Sequence, residues 1–197
     1  MIKPAKWYAS EIGQQYFYGQ GKRKSYMKAF PYLLEAAKAG DAHCQNLVGY
    51  MCGMGLGVER NMASAVSWCK KAARNNDPDG LFNLALAYEK GQGVRLDMRK
   101  AFSLYRRAAE LGDIPSQTNL AFAYLEGLGT ERNPTKGIMW LRRAARRGDA
   151  KAQYDLGLAY LEGDGVRPNK RAARLWLAKA AKQGHKKALR RVAGLVR

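Results

Sequence analysis

A Gly-x-Gly pair returns every 36 residues along this chain, at Gly19/Gly21, Gly55/Gly57, Gly91/Gly93, Gly127/Gly129 and Gly163/Gly165. An Ala-Ala pair keeps the same step (Ala36-Ala37, Ala72-Ala73, Ala108-Ala109, Ala144-Ala145, Ala180-Ala181), and so does a large apolar residue four positions before it: Tyr32, Trp68, Leu104, Trp140 and Trp176. Columns of such different chemistry, holding one period without an insertion, divide the chain into repeats 6–41, 42–77, 78–113, 114–149 and 150–185, with a shortened segment 186–197. A unit this short cannot bury an apolar face alone. Stacked neighbours must supply the core, and the ends need capping.

Inside a repeat the pattern predicts two helices. The first carries Ile12, Val48, Leu84, Leu120 and Leu156, each followed by Gly or Ala and, three residues further on, by Tyr16, Cys52, Tyr88, Tyr124 and Tyr160. Apolar positions at i, i+1 and i+4 form one helical stripe, and the small residue admits a neighbouring backbone. The glycine pair ends that helix, because glycine reaches left-handed angles without a Cβ clash. The second helix buries Ala65/Ala101, Trp68/Trp140/Trp176 and the Ala-Ala pair. Asp41, Asp77, Asp113 and Asp149 precede the first helices, and Ser25, Asn61, Asp97, Asn133 and Asn169 the second. Short oxygen-bearing side chains there accept from first-turn N–H groups, and Pro78 and Pro134 suit the first helical position.

These columns resemble the Sel1-like repeat family, a relative of the tetratricopeptide repeats. The fullest copy runs Ala150-Lys-Ala-Gln-Tyr-Asp-Leu-Gly-Leu-Ala-Tyr160-Leu-Glu-Gly-Asp-Gly-Val166, then Ala172, Trp176 and Lys179-Ala-Ala. The resemblance covers residues 6–185 and implies an all-α, right-handed superhelical solenoid of antiparallel helix pairs, about 11 helices in one domain over 1–197. Cys52, Asn76, Gly137 and the loop Gly21-Lys-Arg-Lys-Ser25 depart from the family pattern. Segment 186–197 sets Ala188, Val192 and Ala193 in register with Ala152, Leu156 and Gly157, and reads as a capping helix.

Composition closes off several classes of function. With 47% apolar residues the chain is not disordered, and no run approaches a membrane-spanning length. The N-terminus, Met1 to Trp7, has no apolar run behind its lysines, so a cytoplasmic location is expected. Cys44, Cys52 and Cys69 are too few for a disulfide framework, and His43 and His185 too scattered for zinc, so no metal and no cofactor is expected. Ser25-x-x-Lys28 and Ser67-x-x-Lys70 have the spacing of penicillin-recognising enzymes, but the partner motifs are absent and both lie in second-helix positions. The chain is not expected to be an enzyme.

What remains is surface. In stacked hairpins the first helices line the concave groove, which places the columns Asn46/Phe82/Thr118/Tyr154, Leu47/Asn83/Asn119/Asp155 and Tyr50/Leu86/Phe122/Leu158 toward it. By analogy with tetratricopeptide clamps, Asn83 and Asn119 would hold the backbone of an extended segment, with Tyr50, Phe82, Phe122, Tyr154 and Leu158 beside it. The alternative is that the aromatics pack between repeats and the amides are merely solvated.

The second surface is basic. The chain carries 35 Lys and Arg against 16 Asp and Glu, a net +19. Residues 136–197 hold 17 bases against 4 acids, a net +13. Arg142, Arg143, Arg146 and Arg147 cluster on one second helix, and Lys186, Lys187, Arg190 and Arg191 on the last segment. Such a patch draws any polyanion, the alternative being a solvated, self-repelling face. The reading is a non-enzymatic adaptor, of a kind typical in bacteria, whose groove takes a protein or peptide segment and whose basic half steers an acidic partner. The alternative is a nucleic-acid-associated protein acting by charge alone, with affinity falling steeply with salt.

Overall fold

A computed structural model describes the backbone of residues 5–195 and the side chains of 7–192. The N-terminal residues Met1 to Pro4 and the side chain of Ala193 lie outside that range. Eleven helices and no strands occur among the described residues: α1 (Ala5–Tyr18), α2 (Tyr26–Lys38), α3 (Ala42–Met54), α4 (Met62–Arg74), α5 (Pro78–Lys90), α6 (Met98–Glu110), α7 (Ile114–Glu126), α8 (Pro134–Arg146), α9 (Ala150–Glu162), α10 (Lys170–Lys182) and α11 (Lys186–Leu195). The chain divides into two compact units, Met1–Leu104 and Tyr105–Arg197, with the division inside α6. In the first, α1 pairs with α2 and α3 with α4, α2 lies on α3, and α5 closes on both α3 and α4. In the second, α7 pairs with α8 and α9 with α10, α8 lies on α9, and α11 docks on α10.

The caps stand where the sequence puts them. Asp41, Asp77, Asp113 and Asp149 accept from the backbone N–H three residues on, at 2.6–2.9 Å. Asn61, Asp97, Asn133 and Asn169 do the same for the second helices. In the last segment His185 takes over this duty, its Nδ1 accepting from Ala188 N.

The two glycines of each pair have separate tasks. Gly55, Gly91, Gly127 and Gly163 end first helices in the left-handed region, at φ 65–80°. The second glycine also has positive φ, but its lack of a side chain matters more. A Cβ at Gly57 would stand 2.5 Å from the Tyr26 carbonyl, one at Gly93 2.5 Å from Met62 O, and one at Gly165 2.6 Å from Pro134 O. Each loop therefore rests directly on the first residue of the preceding repeat's second helix.

The core holds Val48, Leu84, Leu120 and Leu156 at 5% exposure or less, with the Ala-Ala pairs behind them. One expectation is corrected. The tryptophan column is not buried throughout: Trp140 is buried, but Trp68 and Trp176 are only half-buried and Tyr32 is exposed. The column one residue later is buried in every repeat, at Leu33, Cys69, Tyr105, Leu141 and Leu177. A Cβ at Gly13 or Gly157 would stand 2.7 Å from Leu33 or Leu177, so the small first-helix residue makes room for this column.

Candidate functional site

The first helices present their open face at the third expected column. Tyr50 is 42% and Phe122 46% exposed, while Leu86 and Leu158 are half-buried. Tyr50 meets Phe17 edge-on with ring centroids 6.3 Å apart, and Lys151 Nζ lies 5.6 Å from the centroid of Phe122. Exposed rings fixed by one neighbour offer a stiff apolar surface at little entropic cost.

The other two columns sit differently. Asn46, Thr118 and Leu47 are buried, which corrects the expectation that they face outward. The reason is contact with residues of the following repeat. Asn46 Oδ1 accepts from Asn83 Nδ2 at 2.8 Å, Thr118 Oγ1 donates to Asp149 Oδ1 at 3.1 Å, and Tyr154 stacks on His185 with centroids 4.6 Å apart. That column is an inter-repeat seam. Phe82, Asn83, Asn119 and Tyr154 are half-buried. Asn83 is thus already oriented by Asn46 rather than freely solvated.

A column that the sequence reading passed over carries the seam further. Gln45, Gln117 and Gln153 stand 36 residues apart but for one leucine, and all are buried. Their Nε2 groups donate to the carbonyls of Ala37, Ala109 and Ala145 at 3.1–3.2 Å, the second alanine of the preceding pair. A polar residue recurring inside an apolar stripe was the available signal. Buried amides need partners, and here each ties a first helix to the helix before it.

The basic columns are partly committed. Lys71, Arg143 and Lys179 lie over Trp68, Trp140 and Trp176, three residues earlier, at 3.9, 4.8 and 4.5 Å from the ring. Arg142 donates to Tyr160 Oη at 3.1 Å, and Arg147 to the Gly112 carbonyl. Lys136, Arg142, Arg143 and Arg146 border a surface cavity of about 480 Å³ with Ile138 and Met139. Lys186, Lys187, Arg190 and Arg191 are exposed on α11. Four cations around one hollow suit a carboxylate-rich or phosphate-bearing surface.

Reactive chemistry is muted here. Burial pushes the Cys44 thiol to about 11 and Cys69 to about 12, and raises Cys52, so all three stay protonated. Ser25 accepts from Lys28 N as a cap. Among the described residues no group of three or more His, Cys, Asp or Glu is placed to hold a metal ion, and no helix is long and apolar enough to cross a membrane.

Comparison with known proteins now becomes informative. The family model described as the Sel1 repeat matches residues 9–41, 42–77, 78–113, 114–149 and 150–185. A protective antigen present in uropathogenic Escherichia coli strains, displaying an SLR fold, is 32% identical with a TM-score of 0.88 over 95% of this chain. This chain spans only 40% of that antigen. A Sel1 repeat protein from Oxalobacter formigenes is 28% identical, with a TM-score of 0.90 over 100% of this chain and 79% of its own. An immunity protein from Pseudomonas aeruginosa shares the fold at 20% identity, with a TM-score of 0.61 over 95% of this chain and 69% of its own. No curated protein matches the sequence.

Proposed function

Since this chain belongs to the Sel1 repeat family, whose members generally serve as protein–protein interaction scaffolds, we propose that it is a non-enzymatic adaptor. A segment of a partner protein lies along the open faces of the first helices. Asn83 and Asn119 take its backbone, and Tyr50, Phe122 and Leu158 take its apolar side chains. Phe82 and Tyr154, half-buried, support that surface from the seam. The basic second helices and α11, through Arg142, Arg143, Arg146, Lys186, Lys187, Arg190 and Arg191, draw an acidic partner in before it docks.

The observation that carries the reading is the exposure of one ring on a first helix of each unit, Tyr50 on α3 and Phe122 on α7, while Leu47, Val48 and Met51 on α3 and Leu120 on α7 are buried. Packing leaves these rings outward, and a ring left outward in register suits recognition. The second reading, a polyanion held by charge, draws on the cationic hollow on α8. Affinity purification from the native host, with the Asn83→Ala/Asn119→Ala variant in parallel, tests the first. A protein partner lost in the variant supports it, and a partner retained at full yield refutes it. Salt titration against generic duplex DNA tests the second, which predicts tight binding with a steep salt slope.

A further inference from the structure

Repeat 42–77 differs from its neighbours at two positions that line one cavity. Where α3 has Gly53, the other first helices have Phe17, Glu89, Leu125 and Leu161; where α4 has Cys69, the other second helices have Leu33, Tyr105, Leu141 and Leu177. Both exchanges remove bulk from the same place. In repeat 114–149 the counterpart Leu125 lies on α8, its Cγ 2.7 Å from where a Cβ of Gly137, which stands where repeat 42–77 has Ala65, would be. In repeat 42–77 a Cβ at Gly53 would meet only Ala65 Cβ at 3.4 Å and Met62 Sδ at 3.9 Å, and the room beyond stays open. The result is a cavity of about 320 Å³ between α3, α4 and α5, floored by Gly49, Gly53 and Cys69 and opening beside Tyr50 and Asn83.

We infer that this cavity seats one leucine- or phenylalanine-sized side chain from an acidic segment of a partner protein. The inference rests on the reading that a partner runs along the first helices, and names the anchor it brings. The chain itself gives the scale of the occupant, because the positions corresponding to Gly53 in repeats 6–41, 114–149 and 150–185 carry Phe17, Leu125 and Leu161. Val66, Leu86 and Met54 give the walls an apolar and deformable character suited to such an anchor. Arg60 and Lys90 stand at the rim, and no carboxylate lines the cavity. A segment with Asp or Glu beside its anchor therefore meets complementary charge.

The test fills the cavity from within. Peptides are selected from a phage-displayed random library on the whole protein, and their affinities are measured against wild type, Gly53→Leu and Cys69→Leu. Gly53→Leu copies Leu125 and exchanges a helix-interior glycine for a better helix former. Cys69→Leu copies Leu33, Leu141 and Leu177 from the opposite wall, so the result does not hang on one variant's folding. The expected outcome is a selected pattern of one Leu or Phe flanked by Asp or Glu. Its alanine version and both filled proteins should each bind about tenfold or more weakly, as loss of a buried side chain implies. Unchanged affinity in both filled proteins overturns the anchor while leaving the first-helix reading intact. Selected peptides that are indifferent to Tyr50→Ala and Phe122→Ala, or the failure of any peptide to enrich, overturn both.

Discussion

Asn83 donates its side-chain N–H to Asn46 Oδ1 at 2.8 Å, across the seam between α3 and α5. Asn46 is only 5% exposed, so this bond joins a buried acceptor to a half-buried donor. Asn46 is then a positioning residue for Asn83, although it does not itself reach the surface.

Asn46→Leu should accordingly weaken partner binding without touching the partner. Stability should fall by about 1 kcal/mol for the lost bond, read from urea melts. Binding measured well below the melting range should fall in the same direction as for Asn83→Ala. A variant that binds normally would remove Asn83 from the contact surface.

Arg147 leaves a neighbour unserved. Asn75 and Gln183, at the corresponding positions, donate to Gln45 Oε1 and Gln153 Oε1 at 3.2 and 2.9 Å. Arg147 instead donates to the Gly112 carbonyl, and the buried Gln117 Oε1 has no protein partner. Gln183 serves both acceptors at once, since it also donates to Gly148 O at 2.8 Å. Arg147→Gln should therefore gain on the order of 1 kcal/mol, raising Tm by roughly 2–4 °C. A lower Tm would show that the guanidinium contributes more than the amide bond it displaces.

Asp155 stands in a column with Glu11, Leu47, Asn83 and Asn119. Burial raises its carboxyl above 3.8, against the opposing pull of Lys151, His185 and Lys187, with Asp149 adding to the rise. A folded-state value above the unfolded one means the native state binds the proton more tightly. Stability from this group is present at low pH and is lost as pH rises through the folded-state value. Asp155→Asn should thus be more stable than wild type at neutral pH, with the difference shrinking as pH falls toward 3.8. Denaturant midpoints at both ends of that range measure it, and a constant difference would refute the assignment.

Gly93 and Gly21 share positive φ, at 70° each, but only Gly93 lies against another helix. Gly21→Ala should cost roughly 1 kcal/mol for its backbone angle alone. Gly93→Ala adds overpacking against Met62 and should cost about 2–4 kcal/mol. Equal losses in thermal melts would mean that the loop does not rest on α4 as described.

How far the chain could be read in advance depended on whether its signals repeat locally. Caps and helix ends were legible from Asp149 or Gly163 because a cap needs only its own turn. The hairpin period was legible because the glycine and alanine columns recur without slippage. The seam was not, because the outward or inward fate of Asn46 and Thr118 depends on contact with the following repeat. Periodicity within a helix does not contain that contact. The basic ridge was legible as charge, but not its commitment to Trp140, Tyr160 and Gly112. The cavity at Gly53 was not legible, because it depends on α3, α4 and α5 together and no single helix's pattern contains it.

The central claim is that recognition takes place on the first helices. Photo-cross-linking tests it most directly, with a benzophenone amino acid placed in turn at Tyr50, at Phe122 and at the second-helix positions Ser67 and Arg106, in the native host. The account predicts one protein adduct shared by the Tyr50 and Phe122 sites and absent from the other two. An adduct confined to Ser67 and Arg106, or cross-links to nucleic acid alone, would contradict it.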